Sequence, residues 1–203
     1  MIRQQTDEWL EWRRSRITAS NVAAIMGEDP WKGPLDVYLE MVEGKTQEDN
    51  DRLRKGRELE PYARQLYEKH TCIAVEPLVV EHPDTPYMGA SLDGISFDHS
   101  VIAEFKCPGL KAFENIKAHG IPRYYWIQMQ MQMFCVPEAK AGHFFAVLFH
   151  DGGIVDNYFE IVKRDPTFHV ELFHACQDFW NDHILPKVPP EAKYVKMQDK
   201  EYL

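Results

Sequence analysis

Residues 89–108 read GASLDGISFDHSVIAEFKCP, and this stretch decides how the rest of the chain is interpreted. Both ends are rich in residues that favour strands, and the middle carries turn-forming residues. The pattern predicts two antiparallel strands, Tyr87–Ile95 and Val101–Cys107. Because side chains alternate along a strand, Glu104 and Lys106 are expected to project from the same face of the second strand.

Three charged side chains of this hairpin form a candidate catalytic site. Asp93, near the end of the first strand, can meet Glu104 and Lys106 across the hairpin. Carboxylates bind Mg²⁺ or Mn²⁺, and a lysine beside them can orient or help deprotonate a water molecule, so the set suits metal-assisted phosphodiester hydrolysis. Glu60, on the helix leading into these strands, is the candidate for a third carboxylate that would help to seat a second ion.

The alternative is a surface hairpin with an exposed ion pair. A chain with 32 acidic residues contains such spacings by chance. The apolar neighbours Val101, Ile102, Ala103 and Phe105 favour the catalytic interpretation, because charges within an apolar strand are usually paired or bound to metal.

Composition limits the class of protein. With 203 residues, 44% of them hydrophobic and 12% aromatic, the chain is expected to form one domain, residues 1–203, around a real core. The formal net charge of −9 argues against a protein that coats nucleic acid nonspecifically. It leaves room for an enzyme that acts on DNA, because bound divalent cations reverse the local field.

The cysteines and the amino terminus indicate the compartment. The 4 cysteines are dispersed without a CxxC pair, which argues against a zinc knuckle, an iron–sulfur cluster and a secreted disulfide framework. Residues 1–11 lack the apolar core of a signal peptide, and no apolar run reaches membrane-spanning length. The sequence therefore predicts a soluble cytoplasmic protein with no membrane partner.

Hydrophobic periodicity and turn residues predict the remaining elements. Helices are expected around Trp9–Arg16, over Val22–Ile25 with Thr18 or Ser20 as hydroxyl cap and Gly27 as its end, and over Leu35–Glu43, Asp51–His70, Leu110–His119, Pro122–Cys135 and Asp165–Leu185. Further strands are expected over Cys72–Val80, Gly142–His150 and Ile154–Val162, the last two joined by a hairpin turn at Asp151–Gly153. For the fourth helix, an extended turn before a helix starting near Glu58 is the alternative. A loosely held tail is expected over residues 186–203.

Five motifs occur in an order that resembles one known family. They are ITAS at Ile17–Ser20, GRELEP at Gly56–Pro61, GASLDG at Gly89–Gly94, EFKCP at Glu104–Pro108 and IQMQ at Ile127–Gln130. Together they resemble the phage lambda exonuclease and YqaJ recombinase family, a branch of the PD-(D/E)XK nucleases, over residues 9–159. Leu92 stands where the signature has a proline, and the family's minor-groove arginine has no clear match, although Lys32 lies near that region.

The resemblance implies a fold and an activity. The fold would be an α/β (α+β) PD-(D/E)XK nuclease fold, with a central mixed β-sheet flanked by helices. The activity would be that of a Mg²⁺- or Mn²⁺-dependent 5′ to 3′ exonuclease with two ions per site. It would degrade one strand of linear double-stranded DNA processively and leave a 3′ single-stranded tail for recombination. A homotrimeric ring around the DNA, a single-strand annealing protein as partner and a phage or prophage origin are implied as well.

The resemblance also implies the roles of particular residues. Asp93 and Glu104 would bind metal together with the Phe105 carbonyl, Glu60 would assist, and Lys106 and Gln128 would position the attacking water. Arg13, Ser20 and Ser91 would bind the 5′ phosphate, and Leu53 would be a wedge that separates the terminal base pair.

Two other functions stay open from the sequence. One is an endonuclease that cuts within duplexes and needs no 5′-phosphate pocket. The other is a catalytically silent protein that binds DNA ends as a recombination scaffold, against which the presence of all three charged residues argues.

Overall fold

The computed structural model describes residues 2–45 and 51–191, apart from the side chains of residues 52 and 53. The helices are α1 (Asp7–Arg14), α2 (Ala19–Ile25), α3 (Pro34–Val42), α4 (Asp51–Thr71), α5 (Leu110–His119), α6 (Arg123–Cys135) and α7 (Pro166–Phe179), which continues as a π-helical turn over Trp180–Ile184. The strands are β1 (Ile17–Thr18), β2 (Val75–Glu81), β3 (Met88–Ser96), β4 (Val101–Lys106), β5 (Ala141–His150) and β6 (Gly153–Lys163). The predicted mixed α/β class is confirmed.

The described strands form one mixed sheet. β3 pairs antiparallel with β4, which confirms the predicted pair of strands, and antiparallel with β2, so that β2, β3 and β4 form a meander. β3 also pairs parallel with the short β1. β4 pairs parallel with β5, and β5 pairs antiparallel with β6. A parallel pair needs a crossover connection, and α5 and α6 supply it between β4 and β5.

Alternate residues of β4 and β5 enter two different hydrophobic clusters. Ile102 and Phe144 belong to a large core with residues of α2, α6 and α7. Ala103 and Phe145 belong to a smaller core that includes Tyr67 of α4. Since neighbouring residues of a strand face opposite ways, the sheet lies between α4 on one side and α2, α6 and α7 on the other.

The β5–β6 hairpin has the geometry that its turn residues predict. Asp151 and Gly152 both have positive φ, of 47° and 77°. This left-handed pair is typical of a two-residue turn whose twist matches that of the flanking strands.

The N-terminal cap of α2 differs from the prediction, whereas its C-terminal end agrees with it. Thr18 occupies the N-cap position of α2, but no side-chain capping bond forms, and the Thr18 and Ser20 hydroxyls lie 3.2 Å from each other instead. The predicted hydroxyl cap is therefore wrong, because Ser20 is engaged by Arg13. Gly27, with φ of 76°, follows the end of α2 as predicted.

The long helix before the meander is continuous. α4 begins at Asp51 and runs through Pro61, so the alternative of a turn followed by a helix near Glu58 is wrong. After α4, Cys72 has a positive φ of 57°, which turns the chain and delays the start of β2 to Val75.

The carboxyl-terminal region is described as far as residue 191. Within the predicted tail, the carbonyl of Lys187 accepts a hydrogen bond of 2.9 Å from the Tyr38 hydroxyl. Residues from 192 onward lie outside the described residues. None of the helices in the described ranges is long and apolar enough to cross a bilayer.

Candidate active site

Asp93 lies on β3 at the point where the backbone pairing of β3 with β4 stops. The two strands are paired only through Gly94 and Ile95 on β3. Beyond that point, the N–H of Phe105 donates to Oδ2 of Asp93 at 3.0 Å. The Asp93 carboxylate thus takes the place of a backbone acceptor for the Phe105 N–H, and the candidate site lies where the β3–β4 hydrogen bonds end.

Gly94 allows the tight packing that holds Asp93 in place. A Cβ at this position would lie 2.6 Å from Cγ2 of Val75 on β2, which is closer than any side chain can come. The Asp93–Gly94 pair therefore places a candidate metal ligand next to a glycine, the residue type that allows Val75 of β2 to pack this closely on β3.

Glu104 is buried, with 1% of its surface exposed, and is surrounded by donors. It forms an ion pair with Lys106, which confirms that these two side chains share a face of β4. Its Oε1 accepts a hydrogen bond of 2.7 Å from the Gln128 amide, and its Oε2 accepts one of 2.6 Å from Gln132. A buried carboxylate with this many donors is held in one orientation.

The charges in the site act strongly on one another. Burial raises the pKa of Asp93 well above its usual range, and the nearby carboxylates of Glu104 and Glu60 raise it further. Burial by itself lowers the pKa of Lys106, but Glu104, Tyr125 and Asp93 outweigh that effect and the net pKa is raised. The neighbouring carboxylates thus hold Lys106 as a charged ammonium at neutral pH.

Glu60 lies beside this pair rather than within it. Burial raises the pKa of Glu60, and Arg64, which forms a 3.1 Å salt bridge with it, opposes that shift. In the described ranges, no three His, Cys, Asp or Glu side chains are gathered closely enough to enclose one ion. The charge of Glu60 is therefore close enough to raise the pKa of Asp93, but Glu60, Asp93 and Glu104 do not surround a single ion position in the described structure.

The donor chemistry fits Mg²⁺ or Mn²⁺. Asp93 and Glu104 offer only oxygen, and the backbone of Phe105 adjoins them. Mg²⁺ is commonly held by one or two carboxylates, with water completing the octahedron, so a third protein carboxylate is not required. A divalent cation would also relieve the repulsion that raises the pKa of Asp93.

The three residues of the predicted phosphate pocket are brought together through a tryptophan. Arg13 donates to the Ser20 hydroxyl at 2.9 Å, and its guanidinium lies 4.8 Å from the centroid of the Trp9 ring. Trp9 in turn donates to the Ser91 hydroxyl at 3.0 Å. Ser91 lies two residues before Asp93 on β3, so this strand connects the predicted phosphate set to the carboxylates.

The guanidinium of Arg13 is partly shielded from solvent. Burial lowers its pKa, and the charge of Glu40 partly offsets this, so the group keeps its positive charge at neutral pH. A desolvated guanidinium is well suited to bind an anion that brings its own negative charge.

Two residues of the site have no role assigned by the sequence analysis. Gln132 was not singled out, although it is four residues after Gln128 and therefore shares its helix face; that spacing was the available signal. Trp9 carried no such signal, because its partner Ser91 is distant in sequence.

The remaining predicted residues are not assembled here. The side chain of Leu53 lies outside the described residues. Lys32 is held in a local polar cluster, where it donates to Asn21 at 2.9 Å and pairs with Glu40 at 2.5 Å.

A mixed sheet flanked by helices, with an aspartate on one strand and a Glu-x-Lys segment on the next, defines the PD-(D/E)XK type of nuclease fold. The sequence profile of the YqaJ-like viral recombinase domain matches residues 8–142, and the chain belongs to that family. Family membership and the structural neighbours below support a nuclease role.

Among curated proteins, the chain is 25% identical over 184 residues to the uncharacterized protein YqaJ of Bacillus subtilis strain 168. That match covers 88% of this chain and 56% of YqaJ, so the chain spans little more than half the length of this relative.

Among solved structures, the chain resembles the alkaline exonuclease LHK-Exo from Laribacter hongkongensis, with 28% identity and a TM-score of 0.74 over 87% of this chain and 92% of that one. The same enzyme in complex with dAMP matches with 27% identity and a TM-score of 0.73. A phage-related exonuclease from Haemophilus somnus matches at 18% identity and a TM-score of 0.64, covering 85% of this chain and 96% of that one, which shows the shared fold.

Proposed function

We propose that the protein is a Mg²⁺- or Mn²⁺-dependent exonuclease that degrades one strand of linear double-stranded DNA from its 5′ end and leaves a 3′ single-stranded tail. The observation that carries this proposal is that the two sets of residues share strand β3. Arg13 and Ser20, which suit a terminal phosphate, are connected through Trp9 to Ser91, and Ser91 lies two residues before Asp93 on that strand. An end-binding pocket beside a hydrolytic site is what an exonuclease needs.

The carboxylates have the role of holding the metal. Asp93 and Glu104, with the Phe105 carbonyl, would bind two cations per site, and Glu60 would assist from α4. When bound, these ions supply positive charge for the transition state and lower the pKa of a coordinated water. Gln132 and Gln128 hold the two oxygens of Glu104 and so fix the direction in which it offers its lone pairs.

The neighbouring donors have the role of orienting the reacting groups. Lys106 is a charged ammonium at the mouth of the site and can donate to the attacking water or to a phosphate oxygen. Gln128 can hold that water through its amide. The proton lost by the attacking water passes to solvent or to a nearby base.

The phosphate set has the role of recognising the end of the strand. The planar guanidinium of Arg13 can bind a phosphate through two hydrogen bonds, and the Ser20 and Ser91 hydroxyls can donate to the remaining oxygens. Leu53 on α4 would act as the wedge at the terminal base pair.

The assembly belongs to the same proposal. Three copies would form a ring around DNA, with the basic segment at the start of α4 lining the bore and the negative exterior excluding DNA elsewhere. That segment includes Arg52, Arg54, Lys55 and Arg57. A single-strand annealing protein would receive the tail, and the protein would act in the bacterial cytoplasm as a phage or prophage product. The neighbour LHK-Exo is known in complex with dAMP, which supports a nucleic-acid substrate for this chain.

The test is a digestion of three DNA substrates with Mg²⁺ or with EDTA. Linear duplexes carrying a 5′ phosphate or a 5′ hydroxyl are compared with closed circular DNA, and Asp93→Ala is the inactive control. We expect metal-dependent loss of one strand from the phosphorylated linear duplex and none from the circle. Cutting of the circle would mean an endonuclease, and binding to ends without any cutting would mean a scaffold.

A further inference from the structure

We propose that Trp31 and Tyr124 form a stacking site for an unpaired nucleobase of the DNA strand whose end is held at the active site. This inference rests on the proposed function, because it names where that strand lies. It adds a binding surface beyond the metal ligands and the phosphate set.

The first support is a continuous series of aromatic rings that begins at the active site. The Nζ of Lys106 lies 4.7 Å from the centroid of the Tyr125 ring. Tyr125 and Tyr124 have ring centroids 4.3 Å apart, and Tyr124 meets Trp31 edge to face at 5.1 Å. Trp31 is 54% exposed. An aromatic surface thus leads from the candidate catalytic lysine to solvent.

The second support is the rigidity of the turn that presents Trp31. Oδ1 of Asp29 accepts hydrogen bonds from the N–H groups of Trp31 at 2.8 Å and of Lys32 at 3.1 Å. The next residue, Gly33, starts α3 and donates to the Asp36 carboxylate at 2.8 Å. A large apolar ring that is exposed and already ordered loses little entropy on binding, which is the property of a binding residue.

The third support is that a basic residue is the sequence neighbour of each ring of the pair. Lys32 follows Trp31 and pairs with Glu40, whose charge is also felt by Arg13 of the phosphate set. Arg123 precedes Tyr124, is exposed, and stacks on the Trp126 ring with 4.3 Å between guanidinium and centroid. Aromatic rings between cations are the surface that binds single-stranded nucleic acid.

The occupant follows from the position of the pair. Contacts connect Trp31 to the candidate catalytic lysine through Tyr124 and Tyr125. The residue next to Trp31, Lys32, pairs with Glu40, whose charge acts on Arg13 of the phosphate set. A strand that spans these two points brings its bases past the Trp31 ring. Every base has a flat face, so stacking there tolerates any sequence, as an enzyme that digests DNA processively requires.

The test measures binding without cleavage, in EDTA, by fluorescence anisotropy. The probe is a 5′-phosphorylated duplex whose terminal base pairs are mismatched, so that its last bases are unpaired. We expect Trp31→Ala to weaken binding about 5-fold to 100-fold, the usual range for one base–aromatic stack, and Trp31→Phe to keep most of the affinity. Phe97→Ala is the matched control, because Phe97 is an aromatic ring 99% exposed on the β3–β4 turn. We expect it to bind as the wild type does.

A double-mutant cycle identifies the base. An abasic residue is placed in turn at each of the unpaired positions of the 5′-ended strand, and each probe is measured with wild type and with Trp31→Ala. The effect of Trp31→Ala should disappear at one position, where there is no base left to stack, and persist at the others. The stacking site would be overturned if wild type and Trp31→Ala bound the intact probe equally well. It would also be overturned if Trp31→Ala reduced the affinity by the same factor for every abasic probe.

The same samples separate this inference from the proposed function. Wild-type digestion of the linear duplex with Mg²⁺ is read independently of binding. A protein that binds through Trp31 in the base-dependent way but does not cut would keep the stacking site and refute the exonuclease. If the wild type cuts the duplex, but the Trp31→Ala variant binds the probe as tightly as the wild type does, the exonuclease function stands and the stacking site is refuted.

Discussion

Helix α6 carries glutamines on two sides, and the two sides build different kinds of polar cluster. On one side, Gln128 and Gln132 donate to the Glu104 carboxylate. On the other, the Gln130 amide donates to the Lys163 carbonyl at 2.8 Å. Its carbonyl oxygen lies 3.0 Å from Nε2 of His169 and accepts the N–H of Asp165 at the same distance.

The two sides of α6 differ in the charges they contain and in whether every buried polar group has a hydrogen-bond partner. The Glu104 side contains the ion pair with Lys106 and lies close to Asp93, whose pKa is raised by burial and by the neighbouring carboxylates. Oε1 of Gln132 is buried there without a hydrogen-bond partner in the described structure. On the Gln130 side, both ends of the amide are satisfied by neutral groups. The first cluster holds reactive charges at a cost in stability, and the second joins α6 to the segment after β6. The same residue type serves either purpose, depending on what its neighbours are.

The largest effect should come from removing one charge of the first cluster. Asp93→Asn should abolish metal-dependent cleavage, by about 10³-fold or more, because a metal ligand contributes several kcal/mol to the transition state. The free energy of unfolding should stay the same or rise, since the repulsion with Glu104 and Glu60 is relieved. Rates on linear DNA and urea unfolding of the same preparation measure both. A variant that loses stability along with activity would contradict the view that Asp93 is held under repulsion.

The second effect should fall on stability alone. Gln130→Leu removes the partners of a carbonyl, an N–H and an imidazole, and should lower the free energy of unfolding by about 3 kcal/mol. Cleavage per folded molecule should be unchanged, because none of these groups contacts Glu104. Urea denaturation gives the stability. A loss of activity measured well below the unfolding transition would break the division between the two sides of α6.

The third effect is the mirror image of the second. Gln132→Leu should raise the Mg²⁺ concentration needed for half-maximal cleavage by about tenfold to a hundredfold, because Glu104 loses the donor that orients it. The free energy of unfolding should fall by less than in Gln130→Leu. The leucine leaves Oε2 of Glu104 without its Gln132 donor, but it also removes a buried oxygen that has no partner. Metal titration of cleavage, compared with that of Gln130→Leu as the matched control, decides the point. Equal metal dependence in both variants would show that Gln132 does not position Glu104.

The smallest effect is a pH dependence of the second cluster. Burial and the charge of Arg164 lower the pKa of His169 to about 4, with Asp165 opposing. As the pH falls below about 6.5, His169 therefore binds a proton in the unfolded chain but stays neutral in the folded chain. The free energy of unfolding consequently falls as the pH drops. Relative to His169→Gln, the wild type should lose about 1.5 to 2 kcal/mol more between pH 7 and pH 5. Unfolding of both proteins at the two pH values measures this difference, and parallel pH curves would contradict a neutral buried imidazole.

Much of the candidate site could be read from local patterns. The period of two on β4 placed Glu104 and Lys106 on one face, and the Asp–Gly pair before the turn placed Asp93 opposite them. The five ordered motifs identified the family, which the domain profile confirms. The roles of Arg13, Ser20 and Ser91 stay predictions, although the structure brings the three together.

What the local patterns missed involves partners on other elements. Gln128 was assigned a role and Gln132 was not, although the spacing of four residues places both on one face of α6. Trp9, which connects Arg13 to Ser91, has no sequence signal, because its contacts depend on the packing of α1 against β3. The hydroxyl cap of α2 was expected from local preference, and Arg13 overrides it by engaging Ser20.

The sequence by itself determined the elements, the face that each side chain takes on its own strand or helix, and the membership of the family, because these depend on neighbours within a few residues and on motif order. Only the tertiary structure decided which elements meet. The parallel pairing of β4 with β5, the choice of Gln128 and Gln132 for Glu104, and the aromatic path from Lys106 to Trp31 all join residues far apart in the chain. Such contacts are set by how the helices pack on the sheet, where burial of the whole core outweighs any local preference.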